Sequence, residues 1–147
     1  MLNQLRQVLA EKGGTVHSVP PDATVLDAVR EMNRLRVGCV VVMEGDRLVG
    51  IFTERDVLTR VVDGGRDPAS TPVAEVMSRE VVCVGPEITV QQAMAVITEK
   101  RCRHLPVMEG DRLVGLVSIG DLTRWVTRHQ RFHIQDLVNY ITGKYPG

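Results

Sequence analysis

Eight residues of the chain occur twice. Met43-Glu44-Gly45-Asp46-Arg47-Leu48-Val49-Gly50 returns unchanged as Met108-Glu109-Gly110-Asp111-Arg112-Leu113-Val114-Gly115, an offset of 65 residues (108 less 43). Each copy continues as two apolar residues, a hydroxyl residue, two variable residues and an aspartate. These tails are Ile51-Phe52-Thr53-Glu54-Arg55-Asp56 and Leu116-Val117-Ser118-Ile119-Gly120-Asp121. The same offset aligns Pro21 with Pro86, Thr24 with Thr89, Ala28 with Ala93 and Arg36 with Arg101. Whatever one half folds into, the other half must fold into as well.

Read in order, each half is a strand, a helix, two paired strands and a second helix. Met1 to Lys12 has apolar residues at helical spacing and is stopped by Gly13-Gly14. Thr15 to Val19 reads as a short strand. Thr24 opens a helix, with Asp27 as its reciprocal cap and Val25, Ala28, Val29, Met32 and Leu35 as its buried stripe. Cys39 to Met43 is a β-branched run suited to a strand buried on both faces. Glu44-Gly45-Asp46 turns it back into Arg47 to Phe52. Thr53 to Val62 is a helix. After a linker at 66–72, Pro72 to Met77 has room for one helical turn. Val81 to Val84 then reads as a strand, Thr89-Val90-Gln91-Gln92 as a capping box, His104 to Met108 and Arg112 to Val117 as paired strands, and Ile119 onward as helix. The expected organisation is an N-terminal helix (1–14), a first unit (15–65), the linker (66–72), a second unit (73–128), and a C-terminal helix and tail (129–147). The last of these carries Phe132, Ile134, Leu137, Val138 and Ile141. With Trp125 it is expected to pack on the N-terminal helix or on a second copy of the chain.

Composition narrows the function. Eighteen basic and eighteen acidic side chains give a formal net charge of zero, so no general attraction to nucleic acid or anionic lipid is expected. Aromatic residues are 3% of the chain, too few for a base-stacking platform. No apolar run approaches the ~20 residues of a membrane span, and Met1 to Gly14 lacks a secretory pattern. Cys39, Cys83 and Cys102, odd in number and widely spaced, read as buried free thiols in a reducing compartment. A cytoplasmic location is the expectation.

The strand-to-helix junctions carry the chemistry. A hydroxyl residue followed three positions later by an acid is the signature of a helix N-cap, and Thr53/Asp56 and Ser118/Asp121 satisfy it. The same groups suit a ligand. An aspartate has two oxygens to accept from the two neighbouring hydroxyls of a ribose, and a helix N-terminus offers N–H groups to a phosphate. Strand ends in α/β folds open onto the crevice where ligands bind. Arg103 and His104 precede a central strand, placed to face a phosphate or to be solvated. Gly38, at the equivalent position, would let a flat ring approach the backbone or simply end a helix. His129 and His133, four apart, could hold a metal, but Gln130 stands where a zinc hydrolase would need Glu. No nucleophile elbow, Walker-type loop or paired acids occur.

The repeats resemble CBS domains, named for cystathionine β-synthase, and the pair resembles a stand-alone tandem CBS protein from about Val8 to Tyr145. The resemblance is carried by Gly50 to Asp56, Gly115 to Asp121, Arg103-His104-Leu105-Pro106-Val107 and Val76-Met77-Ser78. It implies an α/β (α+β) fold of two pseudo-twofold-related β-α-β-β-α units with clefts between them. It also implies that Asp56 and Asp121 hold ribose hydroxyls in two sites, lined by Thr53 and Ser118 with Arg55 and Gly120 beside them. Gly38 and Cys39, and Arg103 and His104, would border the ligand across the units. Val16 and Val81 would meet an adenine through their backbones.

The function so implied is a regulatory, non-catalytic module. It would bind AMP, ADP, ATP or NAD(H), ahead of S-adenosylmethionine, and signal to a partner protein, with a homodimer expected. A ligand-independent dimerisation scaffold and a metal-dependent enzyme are the alternatives.

Overall fold

The computed structural model describes residues 3–129. The expected C-terminal helix, with Phe132, His133 and Leu137, lies outside the described residues.

The N-terminal helix α1 spans Leu5–Lys12, with the Gln4 N–H donating to Gln7 Oε1 at 2.9 Å, and ends at Gly13, whose φ is +95°. In the first unit β1 (Ser18–Val19) pairs parallel with β2 (Cys39–Glu44), which pairs antiparallel with β3 (Arg47–Thr53). Helix α2 (Val25–Leu35) connects β1 to β2, its Thr24 side chain accepting from the Asp27 N–H. Helix α3 begins as one turn, Glu54–Asp56, and widens into a π-helix over Val57–Val62, closed by the Asp63 N–H donating to the Leu58 carbonyl. The sequence periodicity predicts a helix here but not its pitch.

The second unit repeats this geometry. Helix α4 (Val90–Lys100) is capped by Thr89 and Gln92, β4 (His104–Glu109) pairs antiparallel with β5 (Arg112–Ser118), and α5 covers Ile119–His129. Even the irregularities recur. Both hairpins shift register at the same place, Val42/Met43 and Val107/Met108. Arg36 and Arg101 end α2 and α4 in the left-handed region, at φ 57° and 56°, a conformation that costs a non-glycine residue about 1 kcal/mol or more.

One expected strand is missing. Val81 to Val84 contributes only a parallel bridge, Val84 to Val107. In the first unit the Val41 N–H donates to the His17 carbonyl at 3.1 Å. The residue equivalent to Val41 is Pro106, which has no N–H, so the ladder cannot extend toward Val82. Cys83, in this unpaired stretch, is exposed and not buried as expected; Cys39 is buried and Cys102 half-buried.

Each unit completes its core with a segment from outside the repeated motif. Val73, Val76 and Met77, around a short 3₁₀ turn at Val73–Glu75, pack with Val25, Met32, Val40 and Phe52 of the first unit. Leu5 and Val8 of α1 pack with Val90, Leu105, Leu122 and Trp125 of the second. Trp125 is therefore covered by the chain's own N-terminal helix. Backbone bonds fix α1 there: the Leu5 N–H donates to the Ile88 carbonyl and the Val90 N–H to the Asn3 carbonyl, at 2.9 and 2.7 Å. Among the described residues no helix is long and apolar enough to cross a membrane.

Candidate functional site

Both junctions are true helix caps. The Asp56 N–H donates to Thr53 Oγ1 (3.3 Å) and the Thr53 N–H to Asp56 Oδ2 (3.0 Å). The Asp121 N–H donates to Ser118 Oγ (3.1 Å) and the Ser118 N–H to Asp121 Oδ2 (2.8 Å). Capping leaves each carboxylate with further acceptor positions, and the two halves fill them differently. Asp56 is buried: its Oδ2 also accepts from Thr53 Oγ1 (3.2 Å), its Oδ1 accepts from Ser78 Oγ (3.1 Å), and Arg60 Nε lies 3.7 Å away. Asp121 receives two cations. Lys12 Nζ donates to Oδ2 at 2.6 Å and Arg124 to Oδ1 at 2.7 Å.

Asp121 faces a cavity of about 370 Å³ between the two units, within the size range of small-molecule sites. The first unit supplies the wall from Thr15 to His17 and from Arg36 to Cys39; the second supplies His104, Ser118 and Asp121. Lys12 enters from α1. A smaller cavity of about 150 Å³ adjoins it across the same Lys12–Asp121–Arg124 contact, and is too small for a nucleotide. Neither cavity is lined by Thr53 or Asp56. The wall at Gly38 is narrow: a Cβ there would lie 3.4 Å from Glu54 Oε1 and 3.5 Å from His104 Cε1.

The ionisable groups of the cavity are tuned by burial and by Lys12. Burial pushes the Asp121 carboxyl up, but the Lys12 and Ser118 hydrogen bonds and the Lys12 charge together hold it below its ordinary value. Burial, aided by Lys12, pushes the His104 imidazole below its ordinary value against the opposing charges of Asp121 and Glu54. Burial drives the Cys39 thiol up to about 12. At neutral pH the cleft therefore holds a carboxylate, an uncharged imidazole and an inert thiol.

Of the residues expected from sequence, Val16, Gly38, Cys39, His104, Ser118 and Asp121 come together around this cavity. Thr53, Arg55, Asp56, Val81, Arg103 and Gly120 do not line it. Arg55 and Arg103 are exposed, and Val81 sits in the unpaired stretch before Val84. Gly120 borders the site, its Cβ position 3.5 Å from Ser118 Oγ and from an Arg124 nitrogen. Sequence reasoning missed Lys12, Arg36 and Arg124 as lining groups. Arg124 lies one helical turn beyond Asp121, a spacing that brings side chains together. Lys12 gives no such signal, because its partner Asp121 is 109 residues away. His129, one half of the proposed metal pair, stacks on Trp125 with ring centroids 3.8 Å apart and lies 3.4 Å from Glu11.

The geometry has relatives. The CBS domain family model matches the chain twice, over residues 14–63 and 73–128. The chain is 42% identical over 129 residues to the CBS domain-containing protein CBSX3, mitochondrial, of Arabidopsis thaliana, a match covering 84% of this chain and 63% of that protein's length. It is similar to the crystal structure of the CBS domain NE2398, with 39% identity and a TM-score of 0.81 over 84% of this chain and 97% of that one. It is also similar to the CBS domain protein PAE2072 from Pyrobaculum aerophilum, solved in complex with AMP, with 26% identity and a TM-score of 0.71 over 80% of this chain and 88% of that one. The two matched segments coincide with the two structural repeats, and the chain belongs to the CBS domain family as a protein carrying two CBS repeats.

Proposed function

We infer that the chain is a regulatory module that binds an adenine nucleotide in the cleft between its CBS units and passes the resulting change to a partner protein. The observation that carries this reading is Asp121, a carboxylate held ionised at the wall of a nucleotide-sized cavity whose other charged lining is mostly basic. A ribose diol would donate to Asp121, with Ser118 beside it. The adenine would lie between the Val16 backbone and the Gly38–Cys39 wall. Lys12, Arg36 and Arg124 would meet the phosphate. The AMP complex of PAE2072 supports an adenine nucleotide as the ligand class, with AMP, ADP, ATP and NAD(H) as the candidates. A second site would use Thr53, Arg55 and Asp56, with Val81 and Arg103 bordering it. It is the weaker of the two, since Ser78 and Arg60 already occupy Asp56.

The cleft is a binding site and not a catalytic one on this reading. Its thiol is protonated, its carboxylate is paired with two cations, and it offers no activated nucleophile. A ligand that fits one arrangement of the units better than another shifts the population toward it, and a partner can read that shift. A homodimer is the proposed assembly.

Titration calorimetry with AMP, ADP, ATP and NADH tests the assignment. At least one should bind, and Asp121→Ala should weaken it roughly tenfold or more, the loss of charge-assisted hydrogen bonds. An unchanged affinity in Asp121→Ala would remove the ribose assignment. The alternative, a ligand-independent scaffold, is favoured by one observation: Asp121 is already paired with two cations of the chain. Thermal shift separates the two readings, since a scaffold gains no stability at millimolar nucleotide.

A further inference from the structure

We propose that Lys12 is a specificity-determining residue: it occupies the ribose subsite of the free protein, and only a ligand that brings its own phosphate compensates the displaced ammonium. The inference rests on the nucleotide reading above and names which adenosine compounds the cleft admits.

A carboxylate has about four lone-pair sites. At Asp121 three are taken, by the Ser118 N–H, Lys12 Nζ and Arg124. A ribose diol needs two, so one resident donor must leave. The Ser118 N–H belongs to the cap and cannot move without unwinding α5. Arg124 sits on the same helix as Asp121, and the other junction has a counterpart, Arg60 on the helix of Asp56. A same-helix arginine is thus common to both halves. Lys12 is not. It comes from α1, its counterpart at Asp56 is the neutral hydroxyl of Ser78, and it alone ties α1 to the ribose subsite.

Lys12 is also the donor best able to move. It is the last residue of α1, followed by Gly13-Gly14, and its ammonium ends a four-carbon stem that lines the cavity. In the free protein it gives one hydrogen bond to Asp121 and one to the Leu116 carbonyl, both at 2.6 Å. Moving it off Asp121 forfeits a short ion pair at a carboxylate that is only 10% exposed. Adenosine offers no anion in exchange. A sulfonium-bearing adenosyl compound is worse, since it adds a positive charge beside Lys12, Arg36 and Arg124. A nucleotide phosphate supplies a new partner for the same ammonium within the same cavity. The ribose takes the place of Lys12 on Asp121, and Lys12 turns to the phosphate.

The test compares adenosine and AMP by titration calorimetry on the full chain, in the wild type and in Lys12→Met, Lys12→Gln and Lys12→Arg. Circular dichroism melts establish that each variant is folded. In the wild type AMP should bind at least about tenfold more tightly than adenosine. In Lys12→Met and Lys12→Gln adenosine should bind more tightly than in the wild type, and the AMP-to-adenosine preference should shrink by about tenfold. Lys12→Arg should retain the preference. AMP binding by Lys12→Met but not by the wild type would overturn the proposal, since the phosphate would then fail to draw the ammonium off Asp121. An unchanged preference in both neutral variants, with AMP binding still dependent on Asp121, overturns the role of Lys12 and leaves the nucleotide reading standing. AMP binding to neither the wild type nor any variant overturns both.

Discussion

Gly50 and Gly115, equivalent residues of the two halves, each lie under a different incoming segment. A Cβ at Gly50 would fall 2.5 Å from Met77 Sδ and 3.0 Å from the Ser78 carbonyl oxygen. At Gly115 it would fall 2.5 Å from Leu9 Cδ2. The conserved shape of the repeat thus receives the 3₁₀ segment in one half and α1 in the other. The two sites differ in how they can yield. Leu9 presents a branched side-chain end, whereas Ser78 presents backbone that is itself bonded to Ile51 in both directions, at 3.0 and 2.8 Å. Gly50→Ala should therefore destabilise the protein by about 1–3 kcal/mol, and Gly115→Ala by less. Urea denaturation of the two single variants checks the order; equal effects, or a larger one at Gly115, would contradict it.

Pro106 limits the second sheet to two strands and a bridge. Pro106→Val should let the new amide donate to the Val82 carbonyl, as Val41 does to His17. Hydrogen exchange followed by NMR should show that amide protected, with Val81 to Val84 slowed alongside it. The added bond is worth roughly 0.5–1.5 kcal/mol, less the unfolded-state entropy that the proline had removed. Free exchange at position 106 would mean that something other than the missing donor keeps the strand short.

The doubling of Met43 to Gly50 made the architecture legible, because identical strings with identical tails leave little choice but identical hairpins and caps. What it could not reveal is what differs between the halves. Leu5 and Val8 read as one face of a helix, but the periodicity does not say that the second core receives them. Val73, Val76 and Met77 sit near a linker, and their place in the first core depends on contacts far along the chain. Of the six residues found around the cavity, Ser118 and Asp121 follow from the doubled strand-to-helix motif and Gly38 and His104 from the stretch before the central strand, whereas Val16 and Cys39 follow only from the resemblance to CBS domains. Of the cations that complete the cavity, Arg124 stands one helical turn from Asp121, a local spacing that carries a signal, whereas Lys12 comes from α1 and Arg36 from the end of α2, where local sequence carries no trace of the partner. The strand predicted at Val81 failed for a local reason, a proline in the neighbouring strand, that was visible but has its effect only across the pair.

Asp56 and Asp121 share a motif but should respond differently to replacement. Asp56 is 5% exposed and accepts from the Thr53 N–H, Thr53 Oγ1 and Ser78 Oγ. Asp56→Ala removes a buried acceptor from three half-buried donors and should cost about 1–3 kcal/mol of stability. Asp121→Ala releases Lys12 and Arg124 to solvent, where both can be hydrated, and should cost less while weakening the ligand more. Thermal denaturation and calorimetric affinity on the same two variants form the check. A more damaging Asp121→Ala in the melt would show that the Lys12 contact anchors α1 more firmly than its partial exposure implies.

His104 should make stability depend on pH near neutrality. Its imidazole is pushed below the ordinary value of 6.5 by burial first, then by Lys12, against Asp121 and Glu54. Just below pH 6.5 the unfolded chain therefore binds a proton that the folded chain refuses, so ν for the unfolded state exceeds that for the folded state and stability rises with pH. Seen from the other side, stability falls as the pH is lowered from about 7 and continues to fall until the folded pKa is passed. Asp121 acts in a separate, more acidic window. Its folded pKa is depressed below 3.8, so its contribution is complete above that value and is lost only as pH falls further, through the folded pKa. Scanning calorimetry between pH 7.5 and pH 5, a range set around the ordinary histidine value, should show Tm falling in the wild type. His104→Gln, which does not titrate, should flatten that slope, and Asp121, whose window lies below pH 3.8, adds nothing in this range. A slope unchanged by His104→Gln would assign the neutral-pH dependence to another group and remove burial of His104 as its cause.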